Sequence, residues 1–314
     1  MSSPGPVDVR FATSAGYDPE VVLAFSAEHG FTRRSVDSWY GERMDAALAF
    51  HAETLIGAIP FACRSIHVAG QAPIDCGYLS GVVIRDDYRG AGLGGHLLQH
   101  LLTSYPNDGF VVNSFLDDAA YRWYARNGFK VAVPVRSVMG AVPDSVAQTS
   151  CEIEEISDRQ LDANVSARLR ALFDAQYGQA SGFEVRDETF WNRRLRHHFY
   201  KAFNRYFLLM TADKSAYAVA ALNEHPNACG QLDVLELCAG THTQRDELIG
   251  GARTLAAGLG TRLLRVAVIV GSNLEAILFG SGFEESGRFD ILFSGTGRRK
   301  VDLGPWTFFM WDYA

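Results

Sequence analysis

Arg89-Gly90-Ala91-Gly92-Leu93-Gly94-Gly95 is the stretch whose residue types and spacing are best suited to chemistry. An apolar β-branched run, Val82-Val83-Ile84, leads through the charged residues Arg85-Asp86-Asp87 into this glycine-rich turn, and a helix follows. Four glycines, Gly90, Gly92, Gly94 and Gly95, cost conformational entropy unless the backbone must come close to something. A helix start offers free N–H groups and the positive end of the helix dipole, so turn and helix together make a cradle for a diphosphate. The spacing is Arg-x-x-Gly-x-Gly. It is neither the Gly-x-x-x-x-Gly-Lys-Ser/Thr of a nucleoside triphosphate loop nor the Gly-x-Gly-x-x-Gly of a dinucleotide fold, and it points to coenzyme A. An ordinary strand–helix turn is the plainer alternative.

The elements that must hold this turn follow from periodicity. Strands are expected at 8–13, 46–53, 55–69, 75–84 and 109–115, and helices at 18–30, 35–44 and 93–104. Asp117-Asp118 can cap a helix over 119–126, Asn127-Gly128 ends it, and 130–141 reads as a hairpin arm. The short polar stretch 143–150 divides the chain into domains 1–145 and 146–314. The second half repeats the plan without obvious identity: helices at 158–176 and 187–199, strands at 205–212, 215–222 and 231–239, a helix at 244–258, a strand at 262–270, a helix at 273–280, and strands at 288–294 and 306–312. The fold class is α/β, a mixed sheet flanked by helices, used twice.

The order of elements and the Arg89–Gly94 turn resemble the GCN5-related N-acetyltransferase (GNAT) superfamily. So does Ala120-Tyr121-Arg122-Trp123-Tyr124-Ala125-Arg126-Asn127-Gly128-Phe129, which is similar to that family's Ala-x-x-x-Tyr-x-x-x-Gly-Phe helix. The likeness covers roughly 8–140. The two long strands from Ile59 onward also resemble the tandem-domain, enhanced-intracellular-survival type of acetyltransferase. Those proteins add a sterol-carrier-like domain, for which this chain is expected to be too short.

The resemblance implies transfer of an acetyl group from acetyl-CoA to an amine. The strand end Val82-Val83-Ile84 would splay from its neighbour and offer backbone N–H groups to the pantetheine and the acyl carbonyl. Arg89, Gly90, Ala91, Gly92, Leu93, Gly94 and Gly95 would hold the phosphates. Tyr124, four residues before Gly128, would be the general acid that protonates the departing thiolate. Ala119 and Ala120 would lie beside the cofactor. Asp117 stands where the family often has an Asn, and an acidic group there departs from the pattern; it can also be read as a cap alone.

No general base is legible. Tyr78 occupies the position where some relatives carry a Glu. Asp75, Glu53, His51 and His67 lie on nearby strands, the chain's terminal carboxylate at Ala314 is another candidate, and a water chain would need no single base. Phe25, Phe31, Trp39 and Tyr40 on the early helices could wall an apolar substrate or pack on the sheet, and Asp37, Glu42 and Asp45 could attract a cation. The second half lacks both key features. Its equivalent turn, Gly240–Arg245, has no glycine cradle, and Leu278 replaces the tyrosine four residues before Gly282. His197-His198 with Arg193, Arg194 and Arg196 reads as a basic helix face.

A net charge of −7 argues against tracking nucleic acid phosphates and against a polybasic membrane patch. No apolar run reaches the ~20 residues of a membrane span. Five dispersed cysteines suggest reduced thiols and no metal site, and the N-terminus shows no signal pattern. A cytoplasmic enzyme with a small-molecule amine substrate is therefore expected, with a homo-oligomer left open. Non-catalytic acyl-CoA binding and transfer of another acyl group are the rival readings.

Overall fold

The computed structural model describes residues 9–13, 17–29, 44–143, 149–156, 161–187, 190–191, 194, 203–223, 230–301 and 306–307. Nearly all of the expected helix at 35–44, most of the expected helix at 187–199 and most of the expected strand at 306–312 lie outside these residues. So do Phe31, Asp37, Trp39, Tyr40, Glu42, Arg193, Arg196, His197, His198 and Ala314.

In the first half the strands are β1 (Val9–Thr13), β2 (Met44–His51), β3 (Thr54–Ile66), β4 (Ile74–Leu79), β5 (Val83–Ile84), β6 (Gly109–Phe115) and β7 (Lys130–Ala141). Its helices are α1 (Pro19–His29), α2 (Leu93–Ser104) and α3 (Ala119–Arg126). The second half contributes β8 (Glu152–Glu155), α4 (Ala163–Tyr177), β9 (Phe203–Met210), β10 (Tyr217–Asn223), β11 (Gln231–Cys238), α5 (His242–Gly258), β12 (Leu263–Ile269), α6 (Asn273–Gly280) and β13 (Glu284–Gly295). The strand β8 escaped the sequence reading because Glu-Ile-Glu-Glu is charged and exposed. It survives as a sheet edge, with Glu155 paired to Arg205 and Glu152 to Lys214.

All thirteen strands form one sheet, in the order β1-β2-β3-β4-β6-β13-β7-β12-β11-β10-β9-β8, with β5 beside β3. Among these named strands β4–β6 and β11–β12 pair in parallel and the rest antiparallel. The segment 130–141 is thus no hairpin arm. It is a central strand whose partners, β13 and β12, both come from the second half. In turn β13 lies against β6 of the first half. Side-chain alternation marks a buried strand but carries no record of which main chain it will pair with.

The two halves share a constant register. The elements β12, α6 and β13 each begin 154 residues after β6, α3 and β7 (263 − 109, 273 − 119, 284 − 130). Each core includes a residue from the other half's exchanged strand. Leu292 packs with Val112, Tyr124 and Phe129, and Val138 packs with Leu264, Val266 and Phe283.

Helices α1 and α2 cover opposite faces. Leu97, Leu98 and Leu101 of α2 are fully buried against Ala47, Ala49, Ile59 and Phe61, each contributing about 1.5–3 kcal/mol by burial. Val22 and Phe25 of α1 pack with Leu48, Phe50 and Val83, so Phe25 is a core residue.

Candidate active site

The site begins where two parallel strands part. Pairing between β4 and β6 runs from Cys76↔Gly109 to Tyr78↔Val111 and stops there. The β6 strand continues to Phe115. The other chain is drawn toward β3, which pairs Phe61 with Leu79 and Ala58 with Val83. Four steps on one strand against three on the other force a bulge at Ser80–Val82. Gly81 occupies it at φ +144°, a backbone region that a side chain disfavours. A cleft of about 1100 Å³ opens in the gap, between Leu79–Val82 on one wall and Val112–Phe115 on the other.

One end of the cleft is the glycine turn. Gly90 and Gly92 have φ +82° and +79°, conformations that cost an L-residue about 1–2 kcal/mol. Gly92 is the N-cap of α2 and brings no side-chain cap; the Gly95 N–H turns back to the Gly92 carbonyl at 3.0 Å, and the N–H groups of Leu93 and Gly94 are left for another acceptor. A Cβ at either glycine would meet nothing within 4 Å; the space over the turn is open. Arg89 holds the turn in shape. Its Nε donates to the Ile84 carbonyl at 3.0 Å, its Nη2 donates to the His29 carbonyl at 3.0 Å, and the same nitrogen pairs with Asp86 at 2.9 Å.

Helix α3 forms the roof. Its C-terminal end reaches the start of α2: a Cβ on Gly94 would lie 3.6 Å from Trp123, and one on Gly95 3.7 Å from Asn127. Arg122 and Arg126 line the cleft with Arg89, which makes this end cationic. At the other end Asp118 caps α3 by accepting from the Ala120 N–H at 3.0 Å.

Tyr124 projects from α3 into the cleft lining. It is 4% exposed and edge-packed on Trp123 and Phe129. Burial first, and the Asp118 charge second, push its phenol well above the usual tyrosine range. At neutral pH it therefore holds a proton, the state a general acid needs.

Of the residues singled out in the sequence, Val82, Ile84, Arg89, Gly90, Gly94, Ala119, Ala120 and Tyr124 line this one cleft. Val83 points to the opposite face, into the α1 core; the bulge lies one step earlier, where the Ser80 N–H donates to the Pro60 carbonyl at 3.0 Å and Gly81–Val82 face the cleft. Leu93 anchors α2 in the core. Ala91, Gly92 and Gly95 complete the turn without lining the cleft. Asp117 is exposed and outside the lining; the cap is its neighbour Asp118.

The base candidates lie elsewhere. His51 is hydrogen-bonded to the Tyr88 hydroxyl, and His67 stacks on Phe183 of the second half. Tyr78 is buried with the Arg64 guanidinium 4.5 Å over its ring. Asp75 and Glu53 are exposed strand and turn residues. Asp45 accepts from the Cys63 thiol at 3.7 Å. Asn113 and Ser114 line the cleft and were not anticipated. The splay alone brings them there, and a splay has no side-chain signature.

The second half has no such cradle. Helices α2 and α5 end 154 residues apart (258 − 104), yet α5 begins at His242, ahead of Glu247, the counterpart of Leu93. Its N-terminus is closed by its own side chains. The Thr241 hydroxyl accepts from Gln244 N–H, while Gln244 Oε1 accepts from the N–H groups of Thr241 and Gly240. Leu278, fully buried, occupies the place of Tyr124.

Residues 21–129 match the model of the acetyltransferase (GNAT) family. No curated protein sequence matches the chain significantly. Among solved structures, the chain is similar to a tandem GNAT protein from the clavulanic acid biosynthesis pathway, at 12% identity and TM-score 0.62, covering 93% of this chain and 100% of that one. It is also similar to a GCN5-related N-acetyltransferase from Anabaena variabilis, at 14% identity and TM-score 0.64, covering 92% and 73%. Eis1 from Mycobacterium abscessus aligns over 92% and 73%, at 14% identity and TM-score 0.57. Within the first half, residues 21–129 therefore match the acetyltransferase (GNAT) family, and the fold over the whole chain is that of two GNAT-like halves in tandem.

Among the described residues no helix is long and apolar enough to cross a membrane, no group of side chains is arranged to hold a metal ion, and Cys63, Cys76, Cys151 and Cys238 are in no disulfide.

Proposed function

We propose that the chain transfers an acetyl group from acetyl-CoA directly to the amine of a small molecule, with 1–145 as the catalytic domain and 146–314 as a degenerate one. The observation that carries this reading is the juxtaposition, across one cleft, of an uncapped glycine-rich helix start and a buried tyrosine that keeps its proton. The residues fit the cosubstrate. Open space over Gly90 and Gly92, the first turn of α2, and Arg122 and Arg126 suit its phosphates. The Gly81–Val82 backbone suits its amide arm and acyl carbonyl. Acetyl-CoA supplies an activated thioester. The protein orients it, shields it beneath α3 and holds on Tyr124 the proton that the sulfur takes as it leaves. Cys76 is buried and its thiol is pushed far above the usual range, chiefly by desolvation, which disfavours a covalent acyl-cysteine step.

Calorimetric titration with acetyl-CoA and thiol release with a panel of amines test the reading. Binding together with amine-dependent release is expected, and Gly92→Glu, which places a negative side chain at a left-handed position, should abolish binding. Absence of binding would overturn the proposal. Binding without release for any amine or acyl-CoA would favour a non-catalytic acyl-CoA-binding protein.

A further inference from the structure

The exchanged strand β13 sets Asp290 directly opposite Ser114 of β6. Asp290 is 4% exposed and Ser114 5%. Asp290 Oδ2 accepts from the Tyr121 hydroxyl at 2.7 Å. Its other oxygen, Oδ1, is buried without a partner, and so is Ser114 Oγ. Ser114 lies in the cleft lining with Tyr124. A buried acceptor with no donor is costly, and natural interiors seldom leave one without reason.

The second half provides an internal control. In the 154-residue register Asp290 corresponds to Arg136, Tyr121 to Glu275 and Ser114 to Val268 (290 − 136, 275 − 121, 268 − 114). There charges of opposite sign face each other, although Arg136 Nε, buried, makes an ion-pair contact and no hydrogen bond. Arg136 is paired with Glu275 and, at 2.6 Å, with Glu285; Glu275 Oε2 accepts from the Gly271 N–H; and Val268 needs no partner. An unpartnered carboxylate oxygen, an acceptor without a cation beside it, occurs in the half that has the glycine cradle, whereas the equivalent place in the other half holds an arginine paired with two carboxylates.

Charge indicates what would fill it. The glycine-turn end of the cleft is cationic, with Arg89, Arg122 and Arg126, while Asp118 and Asp290 stand at the other end of α3. The groups facing Asp290 are Tyr121 of α3, Ser114 of β6 and Pro134 of β7, with Arg288 two positions away on its own strand. Burial, followed by the Asp290 hydrogen bond, pushes the Tyr121 phenol up to about 12, so Tyr121 remains the donor.

We propose that Asp290 and Ser114 form the subsite for the acceptor's ammonium group and that Asp290 takes its proton; this rests on the acetyl-transfer reading above. One ammonium proton passes to the Asp290 carboxylate, directly or across Ser114 Oγ. The freed nitrogen pair forms the C–N bond, and the C–S bond breaks with its pair on sulfur, which takes the Tyr124 proton. The second proton lost by nitrogen restores Tyr124, and the proton on Asp290 leaves to solvent, one per turnover.

The test is steady-state kinetics with acetyl-CoA and the best amine, across pH, on the full chain. Asp290→Asn keeps the size and the acceptor for Tyr121. It should lower kcat/KM for the amine by about 10²-fold near neutral pH while the acetyl-CoA dissociation constant stays within about twofold. The deficit should shrink as pH rises toward the amine's own pKa, because an amine that arrives neutral has no ammonium proton to pass to Asp290. Ser114→Ala should reduce kcat/KM about tenfold with the same cofactor affinity, and it decides the matter if Asp290→Asn does not fold. Unchanged kinetics in both variants, or a deficit independent of pH, overturns the proposal. A loss of acetyl-CoA affinity with an unmoved amine KM also overturns it, by assigning the pair to the cofactor's amide N–H. A wild type that binds acetyl-CoA but releases no thiol with any amine overturns the functional reading itself, and this assignment with it.

Discussion

Tyr124 carries the sharpest expectation at the level of single residues. Its replacement by Phe should cut kcat by about 10²-fold and leave acetyl-CoA affinity unchanged, because the ring's contacts with Trp123 and Phe129 do not need the hydroxyl. Unaltered turnover would remove it from the mechanism. Among the described residues it is also one of five tyrosines, with Tyr121, Tyr177, Tyr206 and Tyr217, that burial pushes above the usual range. A folded pKa above the unfolded one means that the native state keeps its protons while unfolded tyrosines lose theirs. Stability is thus complete below about pH 10 and falls as pH rises beyond it. Thermal melts from pH 8 to 11, read against phenolate absorbance, check this; full ionisation of the native tyrosines near pH 10 would contradict it. Tyr124 and the glycines were legible in the sequence because their message is local, a turn and one helical face. Asp290 was not. It stands 166 residues beyond Tyr124 (290 − 124), and no spacing rule reaches across a strand exchange.

Helix ends, among the elements, distinguish the two halves as candidate ligand sites. In α3 the Asp118 carboxylate satisfies the Ala120 N–H, and Asp118→Ala should cost about 1 kcal/mol, seen as a drop of a few degrees in Tm. No change would mean that water replaces the cap without loss. In α5 the reciprocal Thr241–Gln244 pair consumes the donors that α2 leaves free. The sequence announced the missing glycines of the second half, and a capping box is readable in Thr241-x-x-Gln244 once sought. Helix limits were read closely because caps and apolar periodicity are written along the chain: 119–126 and 273–280 agree with the structure. Strand partners are a different kind of information. The apolar alternation of β7 and β13 is satisfied by any apolar neighbour, so their exchange could not be read from either strand alone.

One continuous sheet joins both halves of the molecule, with each half's core completed by a strand of the other. Unfolding should therefore be a single cooperative transition, with calorimetric and van't Hoff enthalpies in agreement; two separable transitions would refute the coupling. The glycine cradle occurs once, so acetyl-CoA should bind with a stoichiometry of one per chain. A stoichiometry of two would mean that α5 opens its cap.

The exchange also bears on how such a chain can change over generations. Two halves in constant register look like copies of one ancestral unit, and a redundant copy is ordinarily free to decay or be lost. Here the second half supplies β13, and with it Leu292 in the other's core and Asp290 beneath its α3. Deleting it would leave β6 with β4 alone beside it. A second half that lost every reaction of its own would still be held in place, and substitutions in β13 are answerable to a cleft on the far side of the repeat.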